Sequence, residues 1–484
     1  MIENTHLSPS RNSGVSRREM LRLGTVGLGG LSLGNLLRLR SSAAVPSHDQ
    51  NTALIIVFLH GGASHLETYD PKPHAPSEYR GPFQPAHSVV PGMHLCELLP
   101  NHARIANKFS LLRSMVHTGF CHGIGQQQMF TGHDIREFKP KADHPEFMAV
   151  TNHVRHRHGF SPRQKQIVSS DRKFPFGKSI TTSSLPGYVG IPPIPYLGSA
   201  YLGPAAEPFK IFGDPNAPDF KIPNTRIEDQ EKVHRLNRQR TLRNRLDRMQ
   251  RDLDLHKNMQ AMDWFEQSAW NMLTDPNAQR AFDLSQEDVR TRDRYGRTRW
   301  GQQCLLARRL VEHGVDLVTT TLAGPEAGPV QNWDDHAVNH HVFDAMKKRA
   351  ANFDRAVAAL IEDIYDRGLD KRVMVLVTGE FGRTPKISYA TGSISKVRQP
   401  GRDHWPRATS MLFAGGGITP GQVIGATDIR GEDVVARRIG PVDFLATMYR
   451  HLGVDPSRVE FADFSGRPIP VLNAGSPIPE LLPV

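Results

Sequence analysis

Runs of consecutive apolar residues mark segments of this chain that predict strands buried on both faces of a sheet. The two clearest runs, Leu54–Leu59 and Val373–Val377, are rich in β-branched residues. Shorter runs at Ser110–Met115, Val315–Leu322 and Ser410–Phe413 predict three further strands. Five strands are therefore predicted, spread over most of the chain.

Between these strands the apolar positions recur with a helical period. Amphipathic helices are predicted over Arg299–His313, Ala345–Asp366 and Val442–Leu452, and the second half of the segment from His117 to His133 also has helical character. Alternation of strand and helix favours an α/β fold, with a mostly parallel central sheet and helices on both of its faces.

Composition divides the chain into one large domain and its additions. We expect a single α/β domain over residues 52–466, because the strand and helix signals run through this whole range. Residues 160–225 are rich in Pro and Gly and predict a loop-rich excursion over the sheet, whereas 226–300 predict a helical insertion. Residues 467–484 form a Pro-rich tail that we expect to be extended.

The first 44 residues resemble a twin-arginine export signal. Arg17 and Arg18 precede the apolar segment Leu23–Leu37, and small residues follow up to Ala44, where we expect cleavage. The apolar segment is shorter than the roughly 20 residues that span a bilayer, although an uncleaved anchor stays open. The resemblance implies a protein of the periplasm or cell surface that meets membrane only through export or an uncleaved signal.

The net charge of +11 does not favour nucleic-acid binding. Six Arg and two Glu within residues 1–44 supply +4 of it, and the rest is spread along the chain without interleaved aromatic residues. A mildly basic surface equally suits a small anionic ester or a carbohydrate-linked substrate. The three cysteines, Cys96, Cys121 and Cys304, lack the spacing of a metal site.

His and carboxylate residues follow the predicted strands directly. Imidazole and carboxylate groups from separate loops at one sheet edge can converge on a divalent cation, with zinc as the candidate. The predicted ligands are His60, Asp334, His336, Glu380 and His404. Each of them alone has a plainer explanation as a loop residue or a surface pair, and Asp403 is expected to orient the neighbouring ring of His404.

Candidates for catalysis are weaker than those for metal binding. No G-x-S-x-G turn, P-loop or G-x-G-x-x-G motif follows a strand, so nucleotide-cofactor enzymes are disfavoured. Ser64 and His122 lie after predicted strands and are candidate catalytic groups, with Thr118 and Cys121 as further nucleophile candidates. Arg383 is a candidate for binding the charge of an anionic substrate.

Several sequence blocks carry a family resemblance. They are GGASHLETYDPKP, HGIGQQQMFTG, the block from Phe282 to Val318, NWDDH, GEFGRTPKI and GRDHWPRATSMLFAGGGI. On these blocks the chain is identified as a member of the bacterial domain of unknown function family 1501. The family is regarded as related to the alkaline phosphatase and sulfatase superfamily, which implies an alkaline-phosphatase-like sandwich and a metal-dependent ester hydrolase.

By position, that superfamily resemblance implies departures from the usual ligand set. His60 stands where a metal-binding Asp is expected, and Phe381 stands where a His would follow the acidic residue Glu380. The nucleophile position falls near Cys121 and His122 rather than on a Ser or Thr. Two functions therefore stay open: a metal-dependent hydrolase of phosphate or sulfate esters, and a non-enzymatic binding protein on the same fold.

Overall fold

Ala53–Phe58 is the central strand, and all six of its residues are buried. In the computed structural model, the described residues are 52–156, 185–222, 272, 275–324, 326 and 332–483. They belong to one unit, Asn51–Val484. The signal-like segment 1–44 and most of the predicted insertion 226–300 lie outside the described residues.

The strands follow in chain order. They are β1 (Ala53–Phe58), β2 (Pro85–His87), β3 (His94–Cys96), β4 (Phe109–Met115), β5 (Tyr188–Gly190), β6 (Phe209–Lys210), β7 (Leu317–Thr321), β8 (Val373–Thr378), β9 (Gly382–Arg383), β10 (Ser388–Thr391), β11 (Arg398–Gly401), β12 (His404–Trp405), β13 (Thr409–Gly415), β14 (Val423–Ile424), β15 (Ala426–Thr427), β16 (Val434–Ala436), β17 (Glu460–Ala462) and β18 (Pro468–Pro470).

The α-helices are numbered in the same way. They are α1 (Ser77–Arg80), α2 (Pro100–Arg104), α3 (His122–Thr131), α4 (Phe147–His156), α5 (Pro276–Phe282), α6 (Val289–Tyr295), α7 (Arg299–Glu312), α8 (Val342–Asp366) and α9 (Pro441–His451). Short 3₁₀ turns occupy Ala106–Lys108, Ala200–Leu202, Pro204–Ala206, Leu284–Gln286, Pro456–Arg458 and Pro479–Leu481.

Eight strands form the central sheet in the order β14-β4-β13-β8-β1-β7-β5-β6. β1 pairs in parallel with β7 and β8, and β13 is antiparallel to both of its neighbours, β8 and β4. The remaining pairs, β14 with β4 and β5 with β6 and β7, are parallel. The predicted α/β class with a mostly parallel sheet is confirmed.

Helices cover both faces of the sheet, and side chains that alternate along each strand pack against them on either side. Ile55 and Val57 of β1 join one buried cluster, which includes residues of α7 and α8. Ile56 and Phe58 join the opposite cluster, which includes residues of α3, α4 and α9. Among the described helices, none combines the length and the apolar run needed to cross a bilayer.

Two segments depart from the expected architecture. The described part of the Pro- and Gly-rich excursion does not simply lie over the sheet, because β5 and β6 extend the sheet at one edge. The C-terminal tail is partly packed: β18 pairs with β17, and Ile478 and Leu481 are buried in the cluster that holds α9. These pairings involve only two or three residues each, so local periodicity could not reveal them.

Candidate metal centre

The sheet topology brings five loops to one edge. Because β1, β4, β7 and β8 run in the same direction, their carboxyl ends share an edge, and the antiparallel β13 begins at that edge. His60, His122, the loop of Asp334 and Glu380 follow these strand ends, and His404 precedes β13. The predicted site residues therefore meet because of strand direction.

A glycine turn after β1 lets two of these loops touch. Gly61 has a φ of +110°, and a Cβ atom there would come within 2.5 Å of the backbone nitrogen of Asp334. The Trp333 N–H donates to the carbonyl oxygen of His60 at 2.7 Å, which fixes the contact. Only glycine permits both this backbone conformation and this approach.

Three imidazoles surround one carboxylate oxygen, Oδ1 of Asp334. The Nε2 atoms of His336, His404 and His122 lie 3.1, 3.3 and 3.4 Å from it. The Nε2 atoms of His336 and His404 are 3.0 Å apart. We call these four residues the Asp334 cluster; their side chains are all partly accessible.

The other ring nitrogen of each histidine is held by an acceptor. Nδ1 of His122 lies 2.6 Å from Glu380 Oε1, and Nδ1 of His336 lies 2.6 Å from Asp403 Oδ1. Nδ1 of His404 lies 2.9 Å from the carbonyl oxygen of Phe120. Since a carbonyl or ionised carboxylate can only accept, each Nδ1 carries the hydrogen and donates it. The sequence suggested Asp403 for His404, but the structure pairs it with His336.

This tautomer leaves the Nε2 lone pair of each neutral ring directed at the Asp334 oxygen. Such an arrangement needs a proton or a cation between the atoms. Although burial lowers it, bonds to Asp334 and Glu380 raise the pKa of His122 to about 9. The bond to Asp334 likewise raises the pKa of His336. Against the effect of burial, the three imidazoles hold the pKa of Asp334 well below its ordinary value.

The same geometry fits one divalent cation. In a tetrahedral zinc site with bonds of about 2.0–2.1 Å, ligand atoms lie roughly 3.3 Å apart, close to the 3.1–3.4 Å between Asp334 Oδ1 and the three Nε2 atoms. The ligand atoms of His122, Asp334 and His404 all lie within 4.8 Å of one another. Histidine ligands of metals typically donate the N–H of their second ring nitrogen to a carboxylate or carbonyl oxygen, as His122, His336 and His404 do here.

His60 and Glu380, both expected as ligands, lie behind the cluster. The Glu380 side chain is fully buried; its Oε1 accepts the Gly61 N–H at 2.9 Å as well as the His122 bond. Nδ1 of His60 lies 3.8 Å from the same Oε1 and 3.2 Å from Nε2 of Gln126. In this position Glu380 orients His122, and His60 adjoins the cluster both through Glu380 and through its ring, whose centroid lies 5.7 Å from that of His122.

Arg383, the expected substrate anchor, is instead an internal support. Its side chain is fully buried, and its N–H groups reach the carbonyl oxygens of Gly61, Gly62 and Arg402 and Oδ1 of Asp334. β9 pairs with β12 so that Arg383 stands opposite His404. With every arm of its guanidinium engaged, Arg383 positions Asp334 rather than binding a substrate from solvent.

The candidate nucleophiles are not part of the cluster. Ser64 is 3% exposed, so its hydroxyl is closed off from solvent. Thr118 bonds to Gln128, and Cys121 is a half-buried free thiol at the N-cap of α3. Among the candidates for catalysis, His122 alone lies in the Asp334 cluster, where its Nε2 atom faces Asp334 Oδ1.

Two supporting groups were not predicted from the sequence. The Phe120 carbonyl that orients His404 is a backbone group, which any residue type supplies. Gln126 lies one helical turn after His122 and reaches His60; its position in H-G-I-G-Q could have suggested a shared helix face. Phe381 packs its buried ring 4.5 Å from the His404 ring and 5.4 Å from the His122 ring.

Comparison with known protein families finds one match for the chain. Residues 51–482 match the model described as "Protein of unknown function (DUF1501)". The chain belongs to the DUF1501 family. No curated protein matches the sequence of this DUF1501 protein.

Solved structures resemble the DUF1501 chain only distantly. The lipoteichoic acid synthase LtaP from Listeria monocytogenes is 8% identical, with 84% of this chain and 73% of that chain covered and a TM-score of 0.36. The PsFucS1 sulfatase from Pseudoalteromonas sp. is 12% identical, with 84% of this chain and 68% of that chain covered and a TM-score of 0.33. The phosphonate monoester hydrolase SpPMH from Silicibacter pomeroyi is 11% identical, with 84% of this chain and 74% of that chain covered and a TM-score of 0.34. Similarity this low carries no activity over to the DUF1501 chain.

Proposed function

We propose that this protein is a metal-dependent hydrolase of sulfate or phosphate esters, with one divalent cation held by His122, Asp334, His336 and His404. The observation that supports it is the convergence of three Nε2 atoms on Asp334 Oδ1 at 3.1, 3.3 and 3.4 Å. Each ring is oriented from behind by a separate acceptor. A structural salt bridge would not need three oriented imidazoles around one oxygen.

A divalent cation at the cluster would supply Lewis-acid polarisation of the ester. The four side chains of the Asp334 cluster would hold the cation. Glu380, Asp403 and the Phe120 carbonyl set the tautomers of the three histidines, and Arg383 fixes Asp334. Phe381 keeps water from the side of the rings that it covers, because it is fully buried against them.

The amino end of α3 favours an anionic substrate. His122 is the first residue of this ten-residue helix, and the side chain of the N-cap residue Cys121 does not cap it. Uncapped backbone amides and the positive end of the helix dipole attract anions. Because the cluster and this helix end share His122, an ester bound there would place its negative oxygens near both.

The second candidate is a binding protein without turnover. It is favoured by one observation: among the described residues, no serine, threonine or cysteine side chain forms a hydrogen bond with the Asp334 cluster. A hydrolase would then have to activate water rather than a side-chain nucleophile, whereas a binding protein needs neither.

Hydrolysis assays on the purified, zinc-loaded protein separate these functions. We expect release of 4-nitrophenol from 4-nitrophenyl sulfate or bis(4-nitrophenyl) phosphate that stops when a chelator removes the metal. Asp334→Asn should abolish it, while His74→Ala, at an exposed histidine away from the cluster, should not. Saturable binding of sulfate or phosphate without turnover would favour the binding protein, and neither binding nor turnover would overturn both.

Export by the twin-arginine route stays a prediction. Its support is the pair Arg17 and Arg18 before an apolar segment. A protein exported in the folded state can acquire its metal before it crosses the membrane, which agrees with a centre assembled from five separate loops.

A further inference from the structure

Two partly exposed aromatic rings stand beside the first turn of α3. The ring centroids of Phe138 and Tyr196 are 5.4 Å apart and the rings meet at 84°. Phe138 is 44% exposed and Tyr196 is 36% exposed. The edge-to-face arrangement leaves part of each ring open to solvent, so the pair offers an apolar corner on the surface.

The pair is seated on α3 by specific contacts. Phe138 lies over Gly123, where a Cβ atom would come within 2.1 Å of Cε2 of the Phe138 ring. Gln127, four residues further along the helix, donates from Nε2 to the carbonyl oxygens of Lys139 and Tyr196 at 2.8 and 3.0 Å. One buried amide thus ties together the two segments that carry the rings.

Tyr196 also has an unusual backbone conformation. Its φ of +57° lies in the left-handed region, which is unfavourable for a bulky residue. Such conformations persist where the surroundings over-determine them and are concentrated at functional sites. Here the bond from Gln127 holds the Tyr196 carbonyl. The geometry at this residue fits a ring kept in place for contact with a ligand.

The aromatic pair and the Asp334 cluster are served by adjacent faces of one helix. His122 and Gln126 share the face that reaches Asp334, Glu380 and His60. Gly123 and Gln127 share the next face, since successive residues are rotated by about 100° around a helix of 3.6 residues per turn. The rings and the cluster therefore both adjoin the first turn of α3, the rings at Gly123 and the cluster at His122.

The surroundings of Phe138 indicate what kind of group would bind. Arg136, Glu137 and Lys139 flank it in sequence, and Lys139 forms an exposed ion pair with Asp143 at 2.6 Å. An acyl chain would require a larger continuous apolar surface. A pyranose ring matches better, because its C–H face suits the negative face of an aromatic ring and its hydroxyl groups suit polar neighbours.

We propose that Phe138 and Tyr196 form a subsite for a pyranose ring, and that the substrate is a sulfate or phosphate ester of a carbohydrate. This assignment rests on the proposed hydrolase function for its ester part. The binding of the sugar ring itself does not depend on turnover, so the two ideas can fail separately.

The kinetic test compares a sugar ester with an ester that lacks the ring. For the zinc-loaded protein, kcat/KM is measured for glucose 6-sulfate and for ethyl sulfate, and likewise for the two phosphates. Phe138→Ala should lower the ratio of sugar ester to ethyl ester by roughly fivefold to tenfold, mainly through KM. An unchanged ratio would overturn the subsite, even if both esters are hydrolysed.

The binding test needs no turnover. Saturation-transfer NMR with methyl α-glucopyranoside and methyl β-galactopyranoside should show transfer to the ring C–H protons of at least one of them. Phe138→Ala should remove the transfer, and Tyr196→Phe, which keeps the ring, should retain it. Sugar binding without any ester hydrolysis would support the subsite and refute the hydrolase; no transfer to either sugar would overturn the subsite.

A matched control lies elsewhere on the same protein. Phe464 forms a second edge-to-face pair with Tyr201, with centroids 5.9 Å apart. Tyr201 is linked through His144 to His133, which lies beyond the other end of α3. Phe464→Ala should leave both the kinetic ratio and the NMR transfer unchanged; equal loss in this variant would show that the sugars contact exposed rings without selectivity.

Discussion

Asp334 is the residue on which the candidate centre converges. Three imidazole nitrogens and the Arg383 guanidinium approach the same oxygen, with the Arg383 Nη2 atom at 2.5 Å. The arginine comes from inside the protein and the imidazoles face the accessible side. The carboxylate is therefore held in place from one side and can share a ligand with the histidines on the other.

Arg383→Lys tests whether this arginine is structural. Lysine cannot reach the carbonyl oxygens of Gly61, Gly62 and Arg402 together with Asp334. We expect a loss of about 3–5 kcal/mol in the free energy of unfolding, as for a broken buried ion pair, measured by urea denaturation. Arg407→Lys, at an exposed pair with Asp433, should change it by less than about 1 kcal/mol. Unchanged stability of Arg383→Lys with a raised KM would instead support substrate binding.

At the residue scale, the sequence indicates which side chains lie at the site better than it indicates what each of them does there. Asp334, His336 and His404 are recognisable because they follow or precede buried strands. The separate roles of Glu380 and Arg383 are not recognisable, because they depend on partners such as Gly61, about 320 positions away in the chain. Sequence proximity predicts that Asp403 orients His404, which is wrong: Asp403 reaches His336, because the β9–β12 pairing sets its direction.

At the scale of elements, long apolar or amphipathic segments were predicted correctly. β1, β4, β7, β8 and β13, and helices α3, α7, α8 and α9, appear within a few residues of their expected bounds. The short strands β5 and β6 were missed, since a three-residue and a two-residue strand gain their stability from neighbouring β7 rather than from local periodicity. The five loops of the site could be predicted because each of them adjoins the end of a strand that the apolar pattern predicts.

The contact between α4 and β5 should give the protein a distinct pH dependence. Glu146, just before α4, is buried; its Oε1 accepts from the Tyr188 hydroxyl of β5 at 3.1 Å, and Oε2 has no hydrogen-bond partner among the described residues. Burial raises its pKa from 4.5 to about 8. Between these pH values the folded state binds more protons than the unfolded state, so this group lowers stability as pH rises through that range.

Glu146→Gln should remove that contribution. We expect the free energy of unfolding of the variant to exceed that of the wild type increasingly from pH 6 to pH 8, and to run parallel to it above the folded-state pKa of about 8. Urea denaturation at several pH values measures this, with Glu137→Gln at an exposed position as the control. A wild-type pH slope in Glu146→Gln would show that Glu146 is ionised in the folded protein.

At the scale of the whole molecule, the central sheet brings together side chains that lie far apart in the sequence. Residues separated by more than 300 positions meet because all sheet strands except β13 run in one direction. Family membership covers residues 51–482, so the sheet and the candidate centre lie entirely within the DUF1501 match. The proposed hydrolase function depends on whether that centre holds a metal ion.

Metal analysis of the purified, folded protein tests this claim most directly. We expect about one tightly held divalent ion per chain, matching a single set of ligands. Asp334→Asn and His404→Ala should lose most of it while remaining folded by circular dichroism, and the exposed-site variant His74→Ala should keep it. A wild-type protein without metal after growth and dialysis in zinc, or ligand variants with full occupancy, would contradict the account.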